Sequence, residues 1–280
     1  MSVWKTVCFV FVASVFLGIV LVPLSANSSD TISDGQKKNK RNISDYSGEK
    51  LIFDISFLWF TNAAEGSILL KKNGNEYIAN LKAETKGFIG FFTGYVKHFY
   101  VSHMKVVGNK KGLQPYLFEK NIIFRGKDEK VITTLDYKTR TMPWYKTYKG
   151  KIIEKKIDLM HPSIIYYDIL SAFYNFRSNF YGKIEKGKDF LIHSIPEKEE
   201  SEIFIHVCTR EEELKLKKEE NIEDTEGFFF VIKVPKEIFK TKDGEVSIWA
   251  TKDIMPLKII VRDYIAFGDI RGTLREIVKL

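Results

Sequence analysis

From Leu51 onward the chain is a succession of short apolar segments separated by turn signals, and this rhythm constrains the fold more than any other feature. "KLIFDISFLWF", "AEGSILLKKNGNEYIANLKAET", "VKHFYVSHMKVVGN", "LQPYLFEKNIIFRG", "EKVITTLDYKTRTMPWYK" and "KIIEKKIDLM" follow one another, each of strand length or an obvious pair of strands. "KNGN" is a hairpin turn, because Asn-Gly accepts positive φ. "KDFLIHSI", "SEIFIHVCTR", "FFFVIKVP", "EVSIWATKD", "PLKIIVRDYIAFG" and "IRGTLREIVKL" continue the pattern toward the C-terminus. Strands and helices do not alternate, so the expected sheet is antiparallel and up-and-down, not the parallel sheet of βαβ proteins. Between "CTR" and "GFFF", the polar "EEELKLKKEENIEDTE" reads as an exposed hairpin end or solvated loop.

One segment breaks the rhythm. In "YYDILSAFYNFRS", Ile169, Ala172, Phe173 and Phe176, together with Ile165 before them, form an apolar stripe at helical spacing. Pro162 suits a first helical turn, which places a helix near residues 163–178. A helix apolar on most sides is surrounded by protein. The expected architecture is therefore mainly β: a curved antiparallel sheet or partly open β-barrel, with one central helix packed on the concave side. Asp168 and Arg177 fall on nearly opposite helix faces, so each needs a partner in the sheet; Asp253 and Asp263 are the candidates for Arg177.

The N-terminal stretch says where such a chain goes. Lys5, the apolar run Val7–Leu24 and the small-residue end at Ala26 have the layout of a secretory signal peptide. The run is nearly long enough to span a bilayer, so an uncleaved anchor is the alternative to cleavage. Residues 1–26 are read as the signal, 27–47 as a flexible polar leader and 48–280 as one β-rich domain, exported to the periplasm. Cys8 lies in the apolar run and Cys208 stands alone beyond it, so the domain itself holds no disulfide. The net charge of +8 comes from lysines interleaved with Glu. With no helix-turn-helix, RNP-type strand or zinc knuckle present, nucleic acid is not expected as a partner, whereas peripheral contact with anionic lipid is compatible with the charge.

"DILSAFYNFR" resembles the D-x-L-S-A-x-Y-x-x-R signature of an exported bacterial family known only as a domain of unknown function. Asp168, Leu170, Ser171, Ala172, Tyr174 and Arg177 match it, and Trp249, Thr251, Asp253 and Pro256 match its closing strands. The resemblance implies no activity. It implies an architecture similar to the Lol-type periplasmic lipoprotein carriers, in which a curved sheet wraps a helix around an apolar cavity.

The sequence carries little that points to catalysis or metal binding. Ser171 has Asp168 one turn away but no His nearby in sequence and no nucleophile elbow, so no catalytic residue is assigned. His206 and Cys208 share a strand, with His193 on a neighbour, but paired ligand spacing is missing and neither a metal nor another cofactor is expected. "KGFIGFFTG" lacks the context of a phosphate loop. It reads as a mobile loop whose rings fold under the sheet as core, or alternatively as a lip over a cavity or a membrane-touching edge. The expected ligand is a lipid, acyl chain or other apolar molecule held between sheet and helix. Its candidate contacts are Phe88, Phe91, Phe92, Tyr95, Trp144, Tyr166, Leu170 and Tyr174, with Trp59 as a further lining candidate. Asp168, Ser171, Arg177, Trp249 and Asp253 are assigned structural roles, with Trp249 and Asp253 anchoring sheet to helix. A non-catalytic assembly factor that holds an envelope protein is the alternative, and an envelope hydrolase is the least favoured reading.

Overall fold

The computed structural model describes residues 42–108, 112–197, 200–236, 242–264 and 268–280. The expected signal or anchor and most of the leader lie outside the described residues. So do parts of the turns "GNKKG" and "YIAFG".

Among the described residues fourteen strands form one antiparallel sheet. The first meander comprises β1 (Glu49–Phe57), β2 (Phe60–Asn73), β3 (Glu76–Thr85), β4 (Lys97–Val107), β5 (Gly112–Phe124), β6 (Lys127–Thr134), β7 (Thr141–Tyr148) and β8 (Lys151–Leu159). The second comprises β9 (Asp189–Glu197), β10 (Glu200–Val207), β11 (Gly227–Lys233), β12 (Glu245–Thr251), β13 (Pro256–Tyr264) and β14 (Gly268–Lys279). Within each meander consecutive strands pair, and β1 pairs with β14 from Glu49↔Lys279 to Phe57↔Ile270, joining the two meanders. β8 and β9 are the outer strands, so the sheet is open. Tyr167 bridges to Ser194 on the outer side of β9. The expected hairpin at "KNGN" is present, with Gly74 at φ +58°.

Alternation sets which side chains meet. Leu51, Phe53, Ile55 and Phe57 of β1 are buried in the main core with Leu70, Tyr77, Ala79 and Met104. In "FFFVIK" of β11, Phe230 joins this core, whereas Phe229 faces the other way with Trp249 and Cys208. Both faces of that strand are covered, which explains its unbroken apolar run.

Among the described residues three α-helices accompany the sheet, where one was expected: α1 (Gly87–Thr93), α2 (Ile169–Arg177) and α3 (Arg210–Glu219). The "KGFIGFFTG" segment is α1, a short helix closed by Gly94 at φ +73°, so the loop reading is corrected. The polar "EEELKLKKEE" is α3, started by a reciprocal cap between Thr209 and Glu212. It is not a solvated loop, because Glu213 and Lys217 are buried beneath it. Lys217 donates to Glu213 at 2.7 Å and to the Thr225 carbonyl at 2.6 Å, and its ammonium sits 3.9 Å over the Trp249 ring. α2 begins seven residues later than Pro162 suggested, with Asp168 as its cap. The end of the expected leader also belongs to the domain: a 3₁₀ turn at Ile43–Tyr46 buries both Ile43 and Tyr46.

Candidate functional site

α2 lies against β3, β4, β5 and β9, held at both ends by polar contacts and lined on one face by apolar side chains. At its start the Asp168 carboxylate accepts from the backbone N–H groups of Leu170 (2.9 Å) and Ser171 (3.1 Å). It also accepts from the hydroxyls of Ser102 on β4 (2.6 Å) and Ser171 (2.9 Å). This satisfies the orphan donors of the first turn and ties it to the sheet. Burial pushes the Asp168 carboxyl above its ordinary range, and these four donors oppose that shift. The Ser171 hydroxyl is spent on Asp168, and no imidazole among the described residues bonds to either group.

Midway, Asn175 makes a two-way bond to the Leu113 backbone of β5, accepting from its N–H and donating to its carbonyl, both at 2.8 Å. At the end, Arg177 is buried and donates to the Glu49 carboxylate of β1 at 2.5 and 3.3 Å. Its guanidinium also stacks 4.2 Å from the Tyr46 ring centre, while the Tyr46 hydroxyl donates to the Arg177 carbonyl at 2.8 Å. The carboxylate demanded by Arg177 is therefore Glu49, and neither Asp253 nor Asp263 supplies it. Asp253 lies in the exposed turn between β12 and β13, where its N–H donates to Thr251. Trp249 packs with Phe229 and Cys208 under Lys217, so it anchors α3 and not α2.

The face of α2 carrying Ile169, Ala172, Phe173 and Phe176 borders a cavity of about 130 Å³. Ile192, Ile203, Ile205, Phe230, Ile248 and Ile259 supply much of the facing wall, and Ile68, Leu81 and Tyr100 close it from β2–β4. Among the described residues that line it, only Tyr100 and Arg177 carry polar side-chain atoms. Apolar interior spaces of about 150 Å³ stay dry and accept a benzene-sized guest.

Of the ligand contacts expected from sequence, Leu170 borders this cavity. Tyr174 is fully buried behind it, between Tyr46 and Phe173, and burial raises its phenol well above the ordinary value. Tyr166 packs in a separate small cluster with Leu135, Met142 and Met160. Trp144, on β7, donates to Asp158 at 3.0 Å and is not part of the lining. Phe88, Phe91, Phe92 and Tyr95 are not part of it either. They stand exposed on and beside α1, so the rings do not fold under the sheet. The sequence reading missed Glu49, Tyr46, Ser102 and Leu113, all remote in the chain from the helix they hold.

His206, Cys208 and the Glu212 carboxylate have ligand atoms within 4.8 Å of one another, whereas His193 pairs separately with Glu202. Both His206 ring nitrogens are engaged, at 2.7 Å by Asp189 and at 3.0 Å by Glu212. Burial pushes the Cys208 thiol up to about 12, and a thiol must lose its proton to bind a metal. The group is an ion-pair cluster as it stands.

Residues 52–275 match the family described as "Protein of unknown function (DUF3108)". The chain belongs to this family. No curated protein matches it. A crystal structure of a "Beta-barrel-like Protein of Domain of Unknown Function DUF1849 from Brucella abortus" aligns at 9% identity and a TM-score of 0.45. The alignment covers 84% of this chain and 98% of that one. No helix among the described residues is long and apolar enough to cross a membrane.

Proposed function

We propose that this member of the DUF3108 family is a non-catalytic binding protein that holds an apolar ligand, such as an acyl chain, between its sheet and α2. The observation that carries this reading is the cavity beside α2, whose walls are almost wholly Ile, Val, Leu, Phe and Ala. Binding would follow from burying apolar ligand surface at about 25 cal/mol per Å², less the cost of ordering. The helix is fixed at three points along its length, so the strands opposite are the wall that yields when a longer chain enters. A sheet curved around α2, in the manner of the Lol-type carriers, suits this use, and so does an exported location.

The test is native mass spectrometry of the purified protein with organic extraction, combined with displacement of a fluorescent fatty-acid probe. A reproducible co-purifying lipid and probe uptake support the reading. Widening the cavity with Phe176→Ala should favour a bulkier probe. A bare protein that ignores every fatty-acid probe would falsify it.

One observation favours a second reading, the assembly factor. The outer strand β8 exposes Ile152, Ile153, Ile157 and Leu159, and its free edge can accept another strand. Its interleaved lysines argue for a selective contact rather than indiscriminate pairing.

A further inference from the structure

The large exposed rings of the first meander gather at one end of the sheet. Leu58 and Trp59 turn the chain from β1 to β2 and are 48% and 78% exposed. Alongside, α1 presents Phe88, Phe91 and Phe92 at 63%, 70% and 58% exposure, and Tyr95 follows at 50%. Ring centres run in a continuous chain: Trp59 to Phe60 at 5.5 Å, Phe60 to Phe88 at 6.2 Å, Phe88 to Phe92 at 4.4 Å and Phe92 to Phe91 at 5.7 Å. A surface of this kind exceeds the scattered apolar exposure of ordinary proteins.

The presentation is built and held. Ile89 and Thr93 point inward, and the Thr93 hydroxyl meets that of Thr85 at 3.0 Å. Gly90 lets the Tyr95 ring and the Thr85 carbonyl approach, where a Cβ would lie within 3.0 Å of both. With its inner side pinned, α1 can only turn Phe88, Phe91 and Phe92 outward.

Charge and position select the occupant. Arg125 of the β5–β6 turn lies against Gly94, and Lys127 follows it. Both are exposed, and neither has an acidic partner among the described residues. Lys86 and Lys97, by contrast, are neutralised by Glu65 and Glu84. Phenylalanines with a Trp and a Tyr, rimmed by unbalanced cations, suit the boundary between acyl chains and anionic head groups.

Phe57↔Ile270↔Val261↔Val246↔Ile232 form one row across the sheet, so the cavity residues Val246 and Ile232 lie level with the end of β1 that bears Leu58 and Trp59. α2 is tied down toward the opposite end, where Arg177 meets Glu49 and Asn175 meets Leu113.

We propose that Leu58–Phe60 and α1 dock the domain on the surface of an anionic lipid bilayer, with Arg125 and Lys127 facing its phosphates. The inference deepens the binding reading, because it identifies the surface from which an apolar ligand is taken or to which it is given, but it can fail separately.

The test uses the full chain and vesicles of phosphatidylglycerol and phosphatidylcholine carrying brominated acyl chains, which quench only rings inserted among them. The Trp59 signal is the difference between wild type and Trp59→Phe. Trp59 should be quenched, at about tenfold less lipid when phosphatidylglycerol is present than with phosphatidylcholine alone. Phe91→Ser/Phe92→Ser, which touches only exposed rings and leaves thermal unfolding unchanged, should require about a hundredfold more lipid. An unquenched Trp59, or equal quenching in the double variant, overturns the proposal. So does a stable pair of copies in sedimentation that separates in the double variant, because the patch is then covered by a second chain. Lost quenching with intact fatty-acid probe uptake defeats the docking surface alone, and the reverse defeats the ligand reading alone.

Discussion

Replacing Arg177 with Met should destabilise the protein by about 3–5 kcal/mol, because it leaves the Glu49 carboxylate buried without its cation. Arg177 is 1% exposed and Glu49 7%, and two hydrogen bonds of 2.5 and 3.3 Å join them. Unit charges about 4 Å apart attract by roughly 4 kcal/mol at an effective dielectric of about 20, and stacking on Tyr46 adds about 1–2 kcal/mol. For a domain of this size, thermal unfolding should fall by on the order of 10 °C. Glu49→Leu should lose a similar amount by stranding the guanidinium. The decisive protein is Arg177→Met/Glu49→Leu, in which no charge remains to be solvated. It should recover much of the loss, giving a coupling of at least about 2 kcal/mol in a double-mutant cycle. Urea and thermal unfolding of all four proteins, followed by circular dichroism and Trp fluorescence together, measure it. Additive losses, or single variants within about 1 kcal/mol of wild type, would refute the view that this pair fastens α2 to β1.

Other groups yield shorter tests. Lys217→Met keeps the stem over Trp249 but leaves Glu213 facing only Lys186 and Arg210; unfolding should show a loss of about 2–4 kcal/mol. Hydrogen bonds to Glu212 and Asp189 raise the His206 pKa above its ordinary value. A raised folded-state pKa stabilises fully below the unfolded pKa and is lost as pH rises through the folded one. Thermal stability should therefore fall in wild type as pH rises above the ordinary histidine value of about 6.5, and less so in His206→Gln. The Cys208 thiol, pushed up to about 12 by burial, should resist alkylation until the protein unfolds, as read from the mass of its peptide.

The strands were legible in the sequence because alternation and turn chemistry are local. Their arrangement was less so: β1 and β14 pair across almost the whole domain, and no local pattern announces such a partner. α3 was misread for a related reason. Its charges suggested water, yet Glu213 and Lys217 neutralise each other beneath the helix, and the only local clue was Thr209 with Glu212 three residues on. For Arg177 the need for a buried carboxylate was readable, but its identity was not, since Glu49 lies 128 residues away. The aromatic density of "KGFIGFFTG" suggested a filled interior. The structure turns the same rings outward, because Ile89, Gly90 and Thr93 occupy the inner side of α1.

The pairing of β1 with β14 governs the order in which the molecule can be put together. A ribosome delivers the first meander complete but with β1 as a bare rim, and that rim stays open to unintended partners until β14 emerges. Removing β14 would thus split the sheet down its middle rather than shave its border. The seam is held to its far end, where the Leu280 N–H donates to the Gly48 carbonyl beside the Glu49↔Lys279 pair.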